Sequence, residues 1–275
     1  MKYRYAICEW CLPVNGPSSV RLASQLGFDG IQLGDLGGAS RGFPMNDECI
    51  QQLLLETASS CNIELQALHL QSLLHQDKML YPPNTTQSDD LKLCIDKGIE
   101  SCVALGIPTL FLSSFLKLFI YNKFQFENFA AHLRYANQVA QANGIQVLYE
   151  SVLPLDKQYK MLELAGDGVG VLYDILNPIC YGSGLPWEEI KQLGASLINQ
   201  VHVKDRESDH RTYCLLGKGI AQAEKSAQAL REIDWSGWLV AETVYTEMPF
   251  SEDTTSTDNA IVDLQTMKTL WDNKK

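Results

Sequence analysis

Residues 146–174 read QVLYE-SVLP-LDKQYKMLELA-GDGV-GVLYD, and they carry a complete strand-helix-strand unit. The outer segments, Gln146 to Glu150 and Gly170 to Asp174, are apolar runs without polar alternation, the pattern of strands buried on both faces of a parallel sheet. Between them Leu155, Tyr159 and Leu162 recur at helical spacing, and Gly166 is the residue type that most often ends a helix. Each strand closes on a carboxylate, Glu150 and Asp174, which a buried strand tolerates only at an end that reaches solvent or a partner.

The same grammar extends in both directions. Upstream, strands are predicted at Tyr5 to Trp10, Gly30 to Gly34, Glu64 to Leu70 and Thr109 to Ser113. The helices that follow them are Ser18 to Leu26, Asp47 to Cys61, about Asp90 to Leu105, and Phe126 to Asn143. Ser18 and Asp47 are the expected N-caps, and Gly106 and Gly144 the expected stops. Downstream, Pro186 opens a helix in the position where proline is best tolerated. Then come a strand at Asn199 to Asp205, a helix at Lys225 to Glu232, a strand at Trp238 to Thr243 and a last helix from Thr257 to Trp271.

Uninterrupted βα alternation forces parallel strands with right-handed crossovers, which leaves a closed barrel or an open doubly wound sheet. The first strand runs into Cys11-Leu12-Pro13-Val14-Asn15-Gly16 rather than the G-x-G-x-x-G turn of a dinucleotide-binding sheet. A length of 275 residues matches eight βα units. The sequence predicts an α/β protein, a (β/α)8 TIM barrel forming a single domain over residues 1–275.

Composition narrows the function classes. Hydrophobic residues make up 45% of the chain and charged residues 20%, a balance that supports a large core. No apolar run approaches the ~20 residues needed to cross a bilayer, so no membrane partner is expected. The opening Met1 to Cys8 reads as a short strand stopped by Glu9 rather than a secretory leader. The eight cysteines are scattered, apart from Cys8-x-x-Cys11, which no second pair follows at zinc spacing. Reduced thiols of this kind behave as small hydrophobes and predict a cytoplasmic location. A net charge of −11 repels a phosphate backbone, and a nucleic-acid partner is not expected.

Four successive strands end on ionisable residues: Glu150, Asp174, His202 and Glu242. Their separations, 24, 28 and 40 residues, each hold one βα unit, and the carboxyl ends of barrel strands converge on one mouth. A single acidic strand end is as readily a loop cap, so the argument rests on the four together. Three carboxylates and an imidazole in a small volume repel one another unless a cation joins them. The oxygen-rich set suits a divalent metal, Mn²⁺, Mg²⁺ or Co²⁺ first, with Zn²⁺ a further candidate.

With these residues in hand a family resemblance follows. Gly27-Phe28-Asp29-Gly30-Ile31-Gln32-Leu33, Val201-His202-Val203-Lys204-Asp205, Leu216-Gly217-Lys218-Gly219 and Trp238-Leu239-Val240-Ala241-Glu242 resemble the xylose isomerase-like sugar phosphate isomerase/epimerase superfamily, over essentially the whole chain. The resemblance implies the same four metal ligands and gives Glu150 and Glu242 the acid and base roles. The implied chemistry is proton abstraction next to a metal-bound carbonyl, through an enediolate. Return of a proton to the opposite face of the same carbon epimerises; return to the neighbouring carbon isomerises. The implied partner is a small-molecule carbohydrate: a sugar, sugar phosphate or related polyol. Relatives are often dimers or tetramers, although no segment here marks an interface. A dehydratase of a keto-inositol or dehydroshikimate-like substrate is the alternative within the superfamily. Its endonuclease branch fits poorly with an acidic chain of only five histidines.

Further residues follow from departures and from strand alternation. Ketose epimerases of the superfamily usually carry a substrate-binding His three residues after the sixth-strand Asp, where this chain has Asn177, expected as a hydroxyl contact or as a loop cap. A common Glu of the second strand is here Gln32. Lys204, two positions after His202, points to the same side and is expected to bind substrate or to form a salt bridge. Arg206, with His210 and Arg211, lies in the polar loop beyond, as a substrate contact or a solvated loop. His69 either reaches the mouth as a substrate contact or is a hydrogen-bonded core residue. Trp10 and Phe115 are candidates for an apolar wall or for core packing.

Overall fold

The computed structural model describes residues 2–249 and 254–272. Strands β1 (Tyr3–Cys8), β2 (Gly30–Gly34), β3 (Glu64–His69), β4 (Thr109–Ser113), β5 (Gln146–Glu150), β6 (Gly170–Asp174) and β7 (Ile198–Val203) are parallel barrel strands. Two short strands, β8 (Asp205–Arg206) and β9 (Tyr213–Cys214), form a separate antiparallel ribbon, and β10 (Gly237–Ala241) completes the ring in the order β1-β2-β3-β4-β5-β6-β7-β10. The expected closed barrel is therefore the fold. Two compact units of backbone contribute to it: Met1–Gln32, Thr57–Glu64 and Leu172–Lys275 in one, Leu33–Glu56 and Leu65–Val171 in the other.

In the first unit β1 lies between β10 and β2, with Tyr5 paired to Leu239 and Ile7 to Ile31, and β10 pairs with β7 through Val240 and His202. Helices α1 (Pro17–Gln25), α6 (Asn177–Tyr181), α7 (Pro186–Leu193), α8 (Ala223–Glu232) and α9 (Ser256–Asp272) belong to this unit. Trp235 is fully buried, stacks on Tyr3 at 6.1 Å and donates its indole N–H to the Ile198 carbonyl at 2.6 Å, so the large ring leaves no polar atom unsatisfied there. The N-cap of α1 is Gly16, not Ser18, because Pro17 takes the first helical position.

In the second unit β4 pairs with β5 along its whole length, from Thr109–Gln146 to Ser113–Glu150. Helices α2 (Glu48–Cys61), α3 (Thr86–Leu105), α4 (Lys123–Ala142) and α5 (Leu155–Ala165) follow their strands, α2 passing from this unit into the first. Asp47 caps α2 by accepting from the Ile50 N–H at 3.1 Å, as expected. Helices α3 and α4 begin a turn earlier than their apolar pattern suggests, because Thr85 and Asn122 cap them by accepting from Ser88 and Gln125. Gly106 ends α3 in the left-handed conformation.

The seventh strand stops at Val203 rather than Asp205. Asp205 is buried, and its carboxylate accepts the backbone N–H groups of Gly217, Gly219 and Ala221 at 2.9–3.0 Å. This pulls the Leu216-Gly217-Lys218-Gly219 segment against the ribbon. A Cβ on Gly219 would overlap the Arg206 carbonyl and the Asp205 carboxylate, which is why that position is glycine.

Candidate metal and catalytic site

Asp174 ends β6 and is buried; its Oδ1 accepts the Leu176 and Asn177 N–H groups at 2.7 and 2.8 Å. The backbone entering α6 thus occupies one carboxylate oxygen. The other, Oδ2, lies 2.7 Å from the Lys204 Nζ. Glu242 follows β10 directly, its N–H donating to the Val203 carbonyl at 2.9 Å. Its Oε2 lies 2.6 Å from Lys204 Nζ and 3.1 Å from His202 Nδ1, and its Oε1 accepts from the Trp10 indole at 3.2 Å. Burial by itself pushes the Glu242 carboxyl up, but in the metal-free site a doubly protonated His202 and Lys204, through their charges and the hydrogen bonds they donate, outweigh it and hold the group well below the ordinary carboxylate range.

His202 is fully buried on β7, with Nε2 2.7 Å from Gln32 Oε1. Gln32 donates its amide to Gln200 Oε1 at 2.8 Å, which fixes the amide orientation and makes its oxygen an acceptor. His202 therefore carries a proton on Nε2 and turns Nδ1 toward Glu242, so that in the neutral imidazole only Nδ1 is left as an electron-pair donor. Two electron-pair donors then face each other at 3.1 Å, a contact that is favourable only with a cation or a further proton between them.

In the second unit Glu150 ends β5 and is fully buried. Its Oε2 accepts the Ser113 hydroxyl at 2.7 Å, and Ser113 Oγ lies 3.2 Å from His69 Nε2. The His69 ring stacks on Phe111 at 4.2 Å, 7° from parallel.

Glu150, Asp174, His202 and Glu242 each offer one ligand atom, and these atoms lie within 4.8 Å of one another. Cys8, His202 and Glu242 form an overlapping group at the same place. Counting formal charges, the three carboxylates carry −3 and Lys204 returns +1, leaving −2 with His202 neutral. A divalent cation matches that deficit. Donor chemistry, burial and the Nδ1–carboxylate contact thus all fit a metal held by these four residues.

The other expected residues divide into those beside this cluster and those away from it. Lys204 is buried against Asp174 and Glu242. Asn177 is buried at the start of α6, held through its backbone on Asp174. His69 is joined to Glu150 through Ser113. Arg206 belongs to the ribbon: it donates to the His210 carbonyl and the Tyr213 hydroxyl and stacks over the Tyr213 ring at 4.4 Å. His210 and Arg211 are exposed. Trp10 is more than an apolar wall, since its N–H binds Glu242. Sequence reasoning missed Ser113, although its position was legible: it closes β4 in register with Glu150, a small polar group at the same level of the barrel.

Comparison with known proteins gives a consistent result. The sequence profile of the family described as xylose isomerase-like TIM barrel matches residues 20–269. A 2-epi-5-epi-valiolone 7-phosphate 2-epimerase from Actinoplanes sp. is 32% identical over 234 residues, covering 84% of this chain and 83% of the relative. Among solved structures, an L-ribulose 3-epimerase superposes with a TM-score of 0.78 at 14% identity, covering 98% of this chain and 95% of that one. A D-psicose 3-epimerase with D-tagatose from Clostridium cellulolyticum H10 gives 0.77 at 14% identity, covering 98% and 99%. At that identity the structures speak to the fold. Among the described residues no helix is long and apolar enough to cross a membrane.

Proposed function

The chain belongs to the xylose isomerase-like TIM barrel family, and from that premise we propose that it is a metal-dependent epimerase or isomerase of a small sugar, sugar phosphate or related polyol. The observation that carries the reading is the buried set Glu150, Asp174, His202 and Glu242, with Glu150 and Glu242 as acid and base. The 32% identical relative is a 2-epimerase of 2-epi-5-epi-valiolone 7-phosphate, which supports epimerisation over dehydration and makes phosphorylated polyhydroxy compounds the first substrates to try.

When bound by these four residues, a divalent ion supplies Lewis acidity that makes the C–H next to a substrate carbonyl removable. The protein's own groups do the rest. Glu242 is held ionised by the Lys204 ammonium beside it, so it enters the reaction as a base, and the Trp10 N–H fixes its second oxygen. Glu150 is the partner carboxyl, oriented by Ser113. In epimerisation one of the two takes the proton and the other returns one to the opposite face of the same carbon. In this reading Lys204 and Asn177, both beside the cluster, bind substrate oxygens.

The test is solvent exchange. Protein loaded with Mn²⁺, Mg²⁺, Co²⁺ or Zn²⁺ is incubated in D₂O with a panel of keto-sugars, keto-polyols and their phosphate esters, and deuterium at the carbon next to the carbonyl is read by NMR. The native chain should exchange and epimerise at least one substrate, and Glu242→Gln should lose at least about 100-fold in exchange rate. Full exchange in the variant would sink the acid–base assignment, and loss of water without an epimer would move the protein to the dehydratases.

A further inference from the structure

We propose that Ser113 is a positioning residue that fixes the rotation of the Glu150 carboxylate, with His69 as the donor that fixes Ser113 in turn. The proposal rests on the reading of Glu150 as a metal ligand and acid–base group.

The three side chains are all buried: Glu150 0%, Ser113 1% and His69 3% exposed. Ser113 and Glu150 are register partners on β4 and β5, so their side chains leave the sheet at one level. The hydroxyl lies 2.7 Å from Glu150 Oε2 and 3.2 Å from His69 Nε2. Donor accounting then settles the direction of both bonds. An ionised carboxylate only accepts, and serine has one proton. That proton goes to Glu150, because otherwise two oxygens would face each other lone pair to lone pair at 2.7 Å. The contact with His69 must therefore run from Nε2–H to Ser113 Oγ, which assigns the His69 tautomer. Stacking on Phe111 holds the imidazole plane in place for that bond.

The arrangement parallels the one around His202. There Gln32 orients a ligating imidazole; here Ser113 orients a ligating carboxylate, and a short hydrogen bond to a charged acceptor is among the stronger ones available in a buried site. Of the two readings of His69, substrate contact or hydrogen-bonded core residue, this arrangement favours the second, with the histidine acting through Ser113. Outer groups of this kind typically govern 10- to 100-fold of metal affinity or activity.

The experiment measures Mn²⁺ affinity, from the EPR signal of free Mn²⁺, in the native chain, Ser113→Ala, Ser113→Thr, His69→Phe and His202→Ala. Circular dichroism melting of the metal-free forms runs alongside. Native protein should bind Mn²⁺ and His202→Ala should not. Ser113→Ala should bind about 10- to 100-fold more weakly, Ser113→Thr should recover most of the loss, and His69→Phe, which keeps the stacked ring but removes the donor, should weaken binding several-fold. Native protein that takes up no Mn²⁺ overturns the metal-site reading and the proposal with it. Native binding with undiminished affinity in both Ser113→Ala and His69→Phe overturns the proposal alone. If Ser113→Ala melts below the working temperature, Ser113→Thr against His69→Phe decides: loss in the second but not the first supports the assignment, and equal affinity in both rejects it.

Discussion

Replacing Lys204 by methionine tests the charge balance of the site. The Lys204 ammonium sits 2.7 Å from Asp174 Oδ2 and 2.6 Å from Glu242 Oε2, and the residue is only 7% exposed. Methionine fills a similar volume without the charge, so two buried carboxylates lose their cation, and breaking a buried pair in this way costs about 3–5 kcal/mol. For a chain of this size that is a fall in melting temperature of roughly 6–20 °C in EDTA. A divalent ion should act in the opposite sense. With Lys204 present the cluster carries a formal −2; without it, −3. Removing a unit positive charge about 4 Å from a dication is worth at least about 2 kcal/mol even at the dielectric constant of water, or about thirty-fold tighter Mn²⁺ binding. Saturating Mn²⁺ should then close roughly half of the gap between variant and native melting temperatures. Calorimetric melting in EDTA and in Mn²⁺, with titration of Mn²⁺, measures both effects. Equal melting temperatures in EDTA together with unchanged Mn²⁺ affinity would refute the account of Lys204 as the cluster's counter-charge.

Two smaller perturbations probe the frame around the site. Gly219→Ala should cost about 2 kcal/mol or more, since its Cβ would meet the Arg206 carbonyl and the Asp205 carboxylate, whereas Gly217→Ala, with φ +82° and open space around it, should cost only about 1 kcal/mol. Urea unfolding compares them, and equal costs would reject the close-approach argument. Asp263 accepts from Leu216 N–H at 2.9 Å and from the Thr243 and Tyr245 hydroxyls at 3.1 Å, yet burial dominates and pushes its carboxyl up from 3.8 to about 6. A raised folded value means that its contribution to stability is full below about pH 4 and is lost as pH rises through about 6. The span is about 3 kcal/mol. Asp263→Asn should remove that slope, and parallel stability profiles of the two proteins between pH 4 and 7 would reject it.

The chain of βα units was readable because each strand from β4 to β6 is an apolar run bounded by turn residues, and those three boundaries agree with the structure to the residue. Closure into a barrel followed from the alternation and the length. The four strand-end residues Glu150, Asp174, His202 and Glu242 were legible for a physical reason: a two-sided buried strand has no use for charge except where it ends. What the linear order could not supply was anything set by contacts between strands far apart in sequence. Gln32 and His202 are 170 residues apart and Trp10 and Glu242 are 232 apart, so no spacing rule pairs them. The stop of β7 at Val203 was also invisible, because it depends on three distant amides that Asp205 gathers. Lys204 shows the boundary most clearly. Strand alternation put it on the same side as His202, but only the folded chain decided that its ammonium lies between Asp174 and Glu242. Sequence fixes which groups must share a mouth, through period and strand polarity; the partner of each polar atom within that mouth is set by packing in three dimensions.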